Sequence, residues 1–208
     1  MCAGGLANTA PLPDHRAMAS YTDDQFAPKR RRPPPPLTPL RFRVLAEAYV
    51  QRFGGPSSNL KRYLQRQIDK ALIWKQIEQD EVRAWQAEMA KILAEFQEAG
   101  AVNDARFAQG AAEVLQYRGV APRVVAMRLR QKGIGQADIK DAIDLLGDPA
   151  AAEWQAALNL ARRRRLGPYR PAEDRKERRQ KDAAALARAG FSASVAFRVV
   201  DLKVEDLP

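Results

Sequence analysis

The chain has 208 residues, 46% apolar and 29% charged, with 35 Lys and Arg against 25 Asp and Glu and a formal charge of +10. Its single cysteine, Cys2, and single histidine, His15, lie close to the N-terminus, which excludes a disulfide framework and a Cys/His metal site. No apolar run reaches the ~20 residues of a membrane helix, and the first residues lack the basic and apolar regions of a secretory signal, so a cytoplasmic protein with no cofactor and no membrane contact is expected.

Residues 1–36 are poor in apolar side chains and end in "KRRRPPPP", Lys29 to Pro36. Four consecutive prolines forbid helix and favour an extended chain. This stretch reads as a disordered Pro/Arg-rich tail.

From Thr38 onward the pattern is helical. A helix is expected over Pro39–Phe53, with Phe42, Leu45, Ala48 and Tyr49 on one face, ended by Gly54, Gly55 and Pro56. Ser57 or Ser58 is placed to cap the next helix, which carries Leu60, Tyr63, Leu64 and Ile68. The polar stretch from Asp69 to Arg83 reads as its continuation. Trp85, Met89, Ile92, Leu93 and Phe96 form a second apolar stripe, stopped by Gly100. Residues 37–100 make a first helical repeat.

Asn103 is an N-cap candidate and Asp104 an acid in the first turn. Phe107, Ala111, Val114 and Leu115 predict a buried face, and Gly119 a helix stop. Pro122 suits the first position of a helix carrying Val124, Val125 and Leu129 up to Gly133. A third helix carries Ile139, Ala142, Ile143 and Leu146 before the Gly147–Pro149 break. Residues 101–148 make a second repeat. The third, residues 149–208, has Trp154, Ala157, Leu158 and Ala161 facing inward on a helix that runs into four arginines. A polar helix with Leu186 follows, then Gly190, a Ser192 cap and a short helix with Val195, Ala196, Val199 and Val200.

The second and third repeats align without gaps. "QKGIGQADIKDAID" (131–144) lies on "RAGFSASVAFRVVD" (188–201) at a constant offset of 57 residues, so Gly133 matches Gly190. Self-similarity on this scale implies tandem three-helix modules that share a core by stacking. Each carries a basic loop and middle helix. Residues 118–132 hold Arg118, Arg123, Arg128, Arg130 and Lys132 with no acid. Residues 162–181 hold ten Lys or Arg against three acids, among them Arg162, Arg163, Arg164, Arg165, Arg170, Arg175, Arg178 and Arg179. The helix dipole accounts for one or two cations at a helix end. The recurrence at equivalent positions points instead to a strip that binds a polyanion or an acidic protein surface, with Lys61, Arg62 and Arg66 as weaker members. Tyr117 and Tyr169 flank the basic loops, and packing beneath them is expected rather than stacking on bases.

"AVNDARFAQ" (101–109), "YRGVAPRVVAMRLRQKGI" (117–134) and "LARAGFS" (186–192) resemble the RecX family, the regulators of the bacterial RecA recombinase. Asp104, Arg106, Phe107 and Ala108 match its Asp-x-Arg-Phe-Ala signature, and Arg118, Gly119, Pro122, Leu129, Gln131, Lys132, Gly133 and Ile134 its second-repeat signature. Asn103 departs from a usual Asp, Ala121 from a usual Gly, Arg128 from a usual Glu, and Asn59 from a common acid. The segment from Gln65 to Glu95 reads as longer than usual by one or two helical turns.

The resemblance implies an all-α fold of tandem three-helix repeats in an elongated, curved array. It further implies a non-enzymatic, monomeric regulator that binds the RecA–single-stranded-DNA filament, with at most weak binding to duplex DNA, and mostly inhibits its ATPase, recombinase and co-protease activities. Asp104, Arg106, Phe107, Gly119, Pro122, Gly133 and Gly190 read as structural and the basic residues above as the contacts. The alternative is a helix-turn-helix-like binder of duplex DNA or RNA. It is weakened because the cations sit on the loop and middle helix of each repeat, not on the last helix.

Overall fold

In the computed structural model, residues 33–207 are described, so the tail expected over residues 1–36 lies outside them except for Pro33–Pro36, which have no regular structure. Nine α-helices and two 3-10 turns, Gly167–Tyr169 and Val204–Asp206, make up the regular structure of the described residues. None of these helices is long and apolar enough to cross a membrane.

The first triplet is α1 (Pro39–Phe53), α2 (Ser57–Ile73) and α3 (Val82–Glu98). Thr38 accepts from the Arg41 N–H and Pro39 occupies the first turn, which together start α1. Phe42, Leu60, Leu64, Ile68, Met89, Ile92 and Phe96 make one buried core. Phe42 meets Trp85 edge-on with ring centres 5.4 Å apart, a favoured aromatic geometry.

Helix does not continue across Asp69–Arg83. α2 stops at Ile73, and Lys75 adopts the left-handed region at φ 53°. The Gln76 N–H bonds back to the Ala71 carbonyl at 2.8 Å, and Ile77 swings into the core. Beyond Ile73 this segment carries no apolar stripe, so bending to bury one isoleucine wins over extending a polar helix.

The second triplet is α4 (Asp104–Tyr117), α5 (Pro122–Gln131) and α6 (Gln136–Asp144). The Asn103 side chain caps α4 by accepting from the Arg106 N–H at 2.8 Å. The face turned inward differs from the one the larger side chains suggest. Ala108 and Ala112 are fully buried, Phe107, Ala111 and Leu115 only partly so, and Val114 is exposed. Small residues at the contact let α4 approach α6 closely, and the larger ones flank it.

The third triplet is α7 (Pro149–Arg164), α8 (Ala172–Arg188) and α9 (Ala193–Val200). The Asp148 side chain caps α7 through the Ala151 N–H, and Ser192 caps α9 through the Val195 N–H. A buried acid on the polar helix α8 ties it down. Asp182 accepts from the Gly167 N–H at 2.9 Å and takes both Nε and Nη2 of Arg170, at 3.0 and 2.9 Å. One turn earlier on α8, Arg179 grips Asp201 with two bonds of 2.6 Å and lies over the Phe197 ring. That guanidinium holds the Asp201 carboxyl below the usual range.

The triplets are joined at glycines. A Cβ added to Gly119 would lie 2.5 Å from the Leu160 nitrogen and 2.7 Å from its Cα, so the α4–α5 loop touches the backbone of α7. Gly190 of the third triplet presses on the Val124 side chain of α5, where an added Cβ would stand 2.4 Å away. Its counterpart in the repeat, Gly133, presses on Ser58 of α2, at 2.7 Å. The same device therefore seats each later triplet on the middle helix of the one before. Ser57 and Ser58 belong to this joint rather than to a cap, and no side chain caps α2. The Ser57 N–H and hydroxyl donate to the two oxygens of Asp104 at 2.7 and 2.6 Å, and the Ser58 hydroxyl donates to the Lys132 carbonyl.

Gly119→Ala adds a clash to a left-handed backbone, whereas Gly147→Ala meets the backbone strain alone, because nothing lies near Gly147. In urea unfolding, Gly147→Ala is expected to cost about 1 kcal/mol and Gly119→Ala ~3 kcal/mol or more; equal losses would mean the approach to Leu160 is unimportant. The Asp201 pair adds a pH signature. Its stabilisation is fully present above the ordinary carboxylate pKa and is lost as pH falls through the lowered one. The stability gap between wild type and Asp201→Asn should be full at about pH 7 and close below about pH 4; a gap that persists in acid would contradict the pairing.

Candidate functional site

The four arginines follow from how α7 ends. Arg162, Arg163 and Arg164 form its last turn, where cations meet the negative end of the helix dipole, and Arg165 turns the chain at φ 54°. All four are exposed, while Leu160, Ala161 and Leu166 around them are buried. The apolar anchors fix the backbone and force the charged run outward.

Because Gly119 lets the α4–α5 loop lie on α7, basic residues from both triplets reach one recess of about 780 Å³. Its walls are Arg118 and Arg128 from the second triplet and Arg163, Arg164 and Arg188 from the third. The floor is apolar: Leu115, Val120, Val124, Met127 and Leu160. No carboxylate lines it. Arg163 donates to the Arg118 carbonyl at 2.6 Å, which clips the two triplets together. The side chains of Arg118, Arg128, Arg164 and Arg188 have no ion-pair or hydrogen-bond partner among the described residues. A neighbouring recess of about 400 Å³ is lined by Tyr117, Asn159, Arg162 and Arg163. Tyr117 is 82% exposed rather than packed under the loop, whereas Tyr169 packs on the third core.

The remaining basic residues divide by environment. Arg123 sits at the joint against Gly190. Arg130 donates to Gln136 at 3.0 Å, and the Lys132 ammonium lies 5.7 Å from the Phe107 ring centre. Arg170 is held by buried Asp182, whose hydrogen bond raises the guanidinium pKa further. Arg175 donates to the Arg170 and Pro168 carbonyls at 3.0 and 2.9 Å. Arg179 is paired with Asp201. These three build the third triplet. Arg178 is exposed beside Glu177, 3.9 Å away. Lys61, Arg62 and Arg66 are exposed on α2 and line none of these recesses. Arg106 and Phe107 line a separate, mostly apolar recess between Gly55 and Val114. Pro122 opens α5 as its first residue.

Sequence reasoning missed Arg188. It stands opposite Gln131 in the repeat, and only the packing of the third triplet onto α5 brings it to the recess. Among the described residues no cluster of His, Cys, Asp and Glu is arranged to hold a metal ion.

Residues 103–143 match the family profile described as RecX, second three-helix domain. A protein of Myxococcus xanthus (strain DK1622) named Regulatory protein RecX is 35% identical over 176 residues, which cover 84% of this chain and 90% of that protein. A namesake from Streptomyces coelicolor is 37% identical over 117 residues, covering 56% of this chain and 60% of that one. A solved structure described as "Crystal structure of regulatory protein RecX" has the same fold, with a TM-score of 0.56 at 22% identity, over 79% of this chain and 72% of that chain.

Proposed function

This chain belongs to the RecX family, and we propose that it regulates the RecA recombinase by binding the RecA–single-stranded-DNA filament through the basic recess between its second and third triplets. The observation that carries this reading is the convergence of five guanidinium groups, from four separate segments, on one recess without a carboxylate. Guanidinium forks pair with phosphate oxygens and with carboxylates, so the recess fits both components of such a filament. The apolar floor under Met127 and Val124 adds contact area that a purely electrostatic face lacks.

The action is non-catalytic: the bound chain restrains ATP hydrolysis, strand exchange and co-protease activity by occupying the filament. The chain acts as a monomer in the cytoplasm and gains affinity by touching several filament subunits at once. A duplex-reading helix-turn-helix role is less well supported. The last helices, α6 and α9, each carry a single cation, Lys140 and Arg198. Lys140 is paired with Asp144 and Arg198 lies over Trp154.

The test is the DNA-dependent ATPase of a RecA filament on single-stranded DNA. The chain is expected to inhibit it, and a folded Arg128→Ala/Arg164→Ala/Arg188→Ala variant is expected to need roughly tenfold more protein for the same inhibition. An uninhibited ATPase at several-fold excess of wild-type chain would overturn the proposal.

A further inference from the structure

Tyr117 is the last residue of α4, and 82% of it is exposed. Single exposed aromatics are common on protein surfaces. This one differs in how firmly its backbone is held. On one side, the Gln116 carbonyl accepts from the Asn159 side-chain amide of α7 at 3.4 Å. On the other, the Arg118 carbonyl accepts from Arg163 at 2.6 Å. The next residue is Gly119, locked against Leu160. The chain is thus fastened on both sides of a ring that none of these contacts covers. The recess beside the ring holds Arg162 and Arg163 and no acid.

We propose that Tyr117 is a stacking platform for one unpaired base of single-stranded nucleic acid, with Arg162 and Arg163 meeting the phosphates beside it. A planar ring carried on a held backbone at a helix end, flanked by cations, has the two components that single-strand sites combine: a face for a base and charge for the backbone. Duplex nucleic acid does not fit, because its base faces are already covered by their neighbours. The inference rests on the reading of this basic surface as the face turned to the nucleoprotein filament, and it assigns a specificity-determining residue to that face.

The experiment measures binding of the full chain, without recombinase, to a labelled oligodeoxythymidylate and to an abasic oligonucleotide of equal length. Wild type should bind the thymidylate more tightly. Tyr117→Ala should weaken that binding about tenfold, the loss of one stacked base, and leave the abasic affinity and the salt slope unchanged. Tyr117→Phe, which keeps the ring, should behave as wild type. The inference is overturned if wild type does not bind the thymidylate or does not distinguish it from the abasic strand. It is overturned equally if Tyr117→Ala has no effect, or weakens both strands alike. A Tyr117→Ala chain that loses only filament inhibition would place the ring against protein and also overturn it. The ATPase assay reports separately: wild type that discriminates the two strands yet spares the ATPase would retain the stacking site and remove the recombinase reading.

Discussion

The arrangement of charge on this protein depends on a contact that involves no charge at all. At Gly119 the loop after α4 comes so close to the backbone of α7 that any side chain would collide with Leu160. That approach sets how closely the first helix of the third triplet lies on the second. Gly190 fixes the same junction from the other direction by pressing on Val124. With both in place, Arg118 and Arg128 stand across a recess from Arg163, Arg164 and Arg188. An added Cβ would collide with the Leu160 backbone at Gly119 and with a Val124 methyl at Gly190.

Five like charges in one recess are tolerable only because the recess is open to water. Two unit charges about 8 Å apart repel by only ~0.5 kcal/mol in bulk water, and salt reduces this further. The repulsion grows as water is displaced, so an occupant that removes water must bring negative charge. This selects anions without any base-specific contact. The arginines that do pair internally do a different job. Arg170 neutralises a buried acid, and Arg175 donates to two backbone carbonyls of the third triplet. Composition alone does not separate these two groups, although Arg163 and Arg164 lie within a dozen residues of Arg170 and Arg175.

Local chemistry made much of the fold readable. Asn103 and Ser192 cap helices through short-range bonds, and Pro122 opens one because its ring suits that position. The alignment of 131–144 on 188–201 anticipated that Gly133 and Gly190 play equivalent parts. What was hidden depends on distant partners. A serine ahead of a helix reads as a cap, but Ser57 bonds to Asp104, 47 positions away. An acid in a polar helix reads as solvated, yet Asp182 is buried by a loop that only the folded chain supplies. Large residues at helical spacing suggested that Val114 is inside, whereas two alanines win that face because close approach of α4 and α6 needs small side chains. The recess itself follows the same logic. Its cations were visible as runs, but which of them meet is decided by the joint between triplets.

If both triplets contribute to one binding groove, the salt dependence of filament binding registers each side of it. Affinity should be measured across salt concentrations for wild type, for Arg118→Ala/Arg128→Ala, for Arg164→Ala/Arg188→Ala and for the four changes combined. Each pair should flatten the slope, by up to ~0.7 for each phosphate contact removed, and the combined variant should show the larger loss. A pair that leaves both affinity and slope at the wild-type values would contradict a shared groove, since one side of it would then be idle.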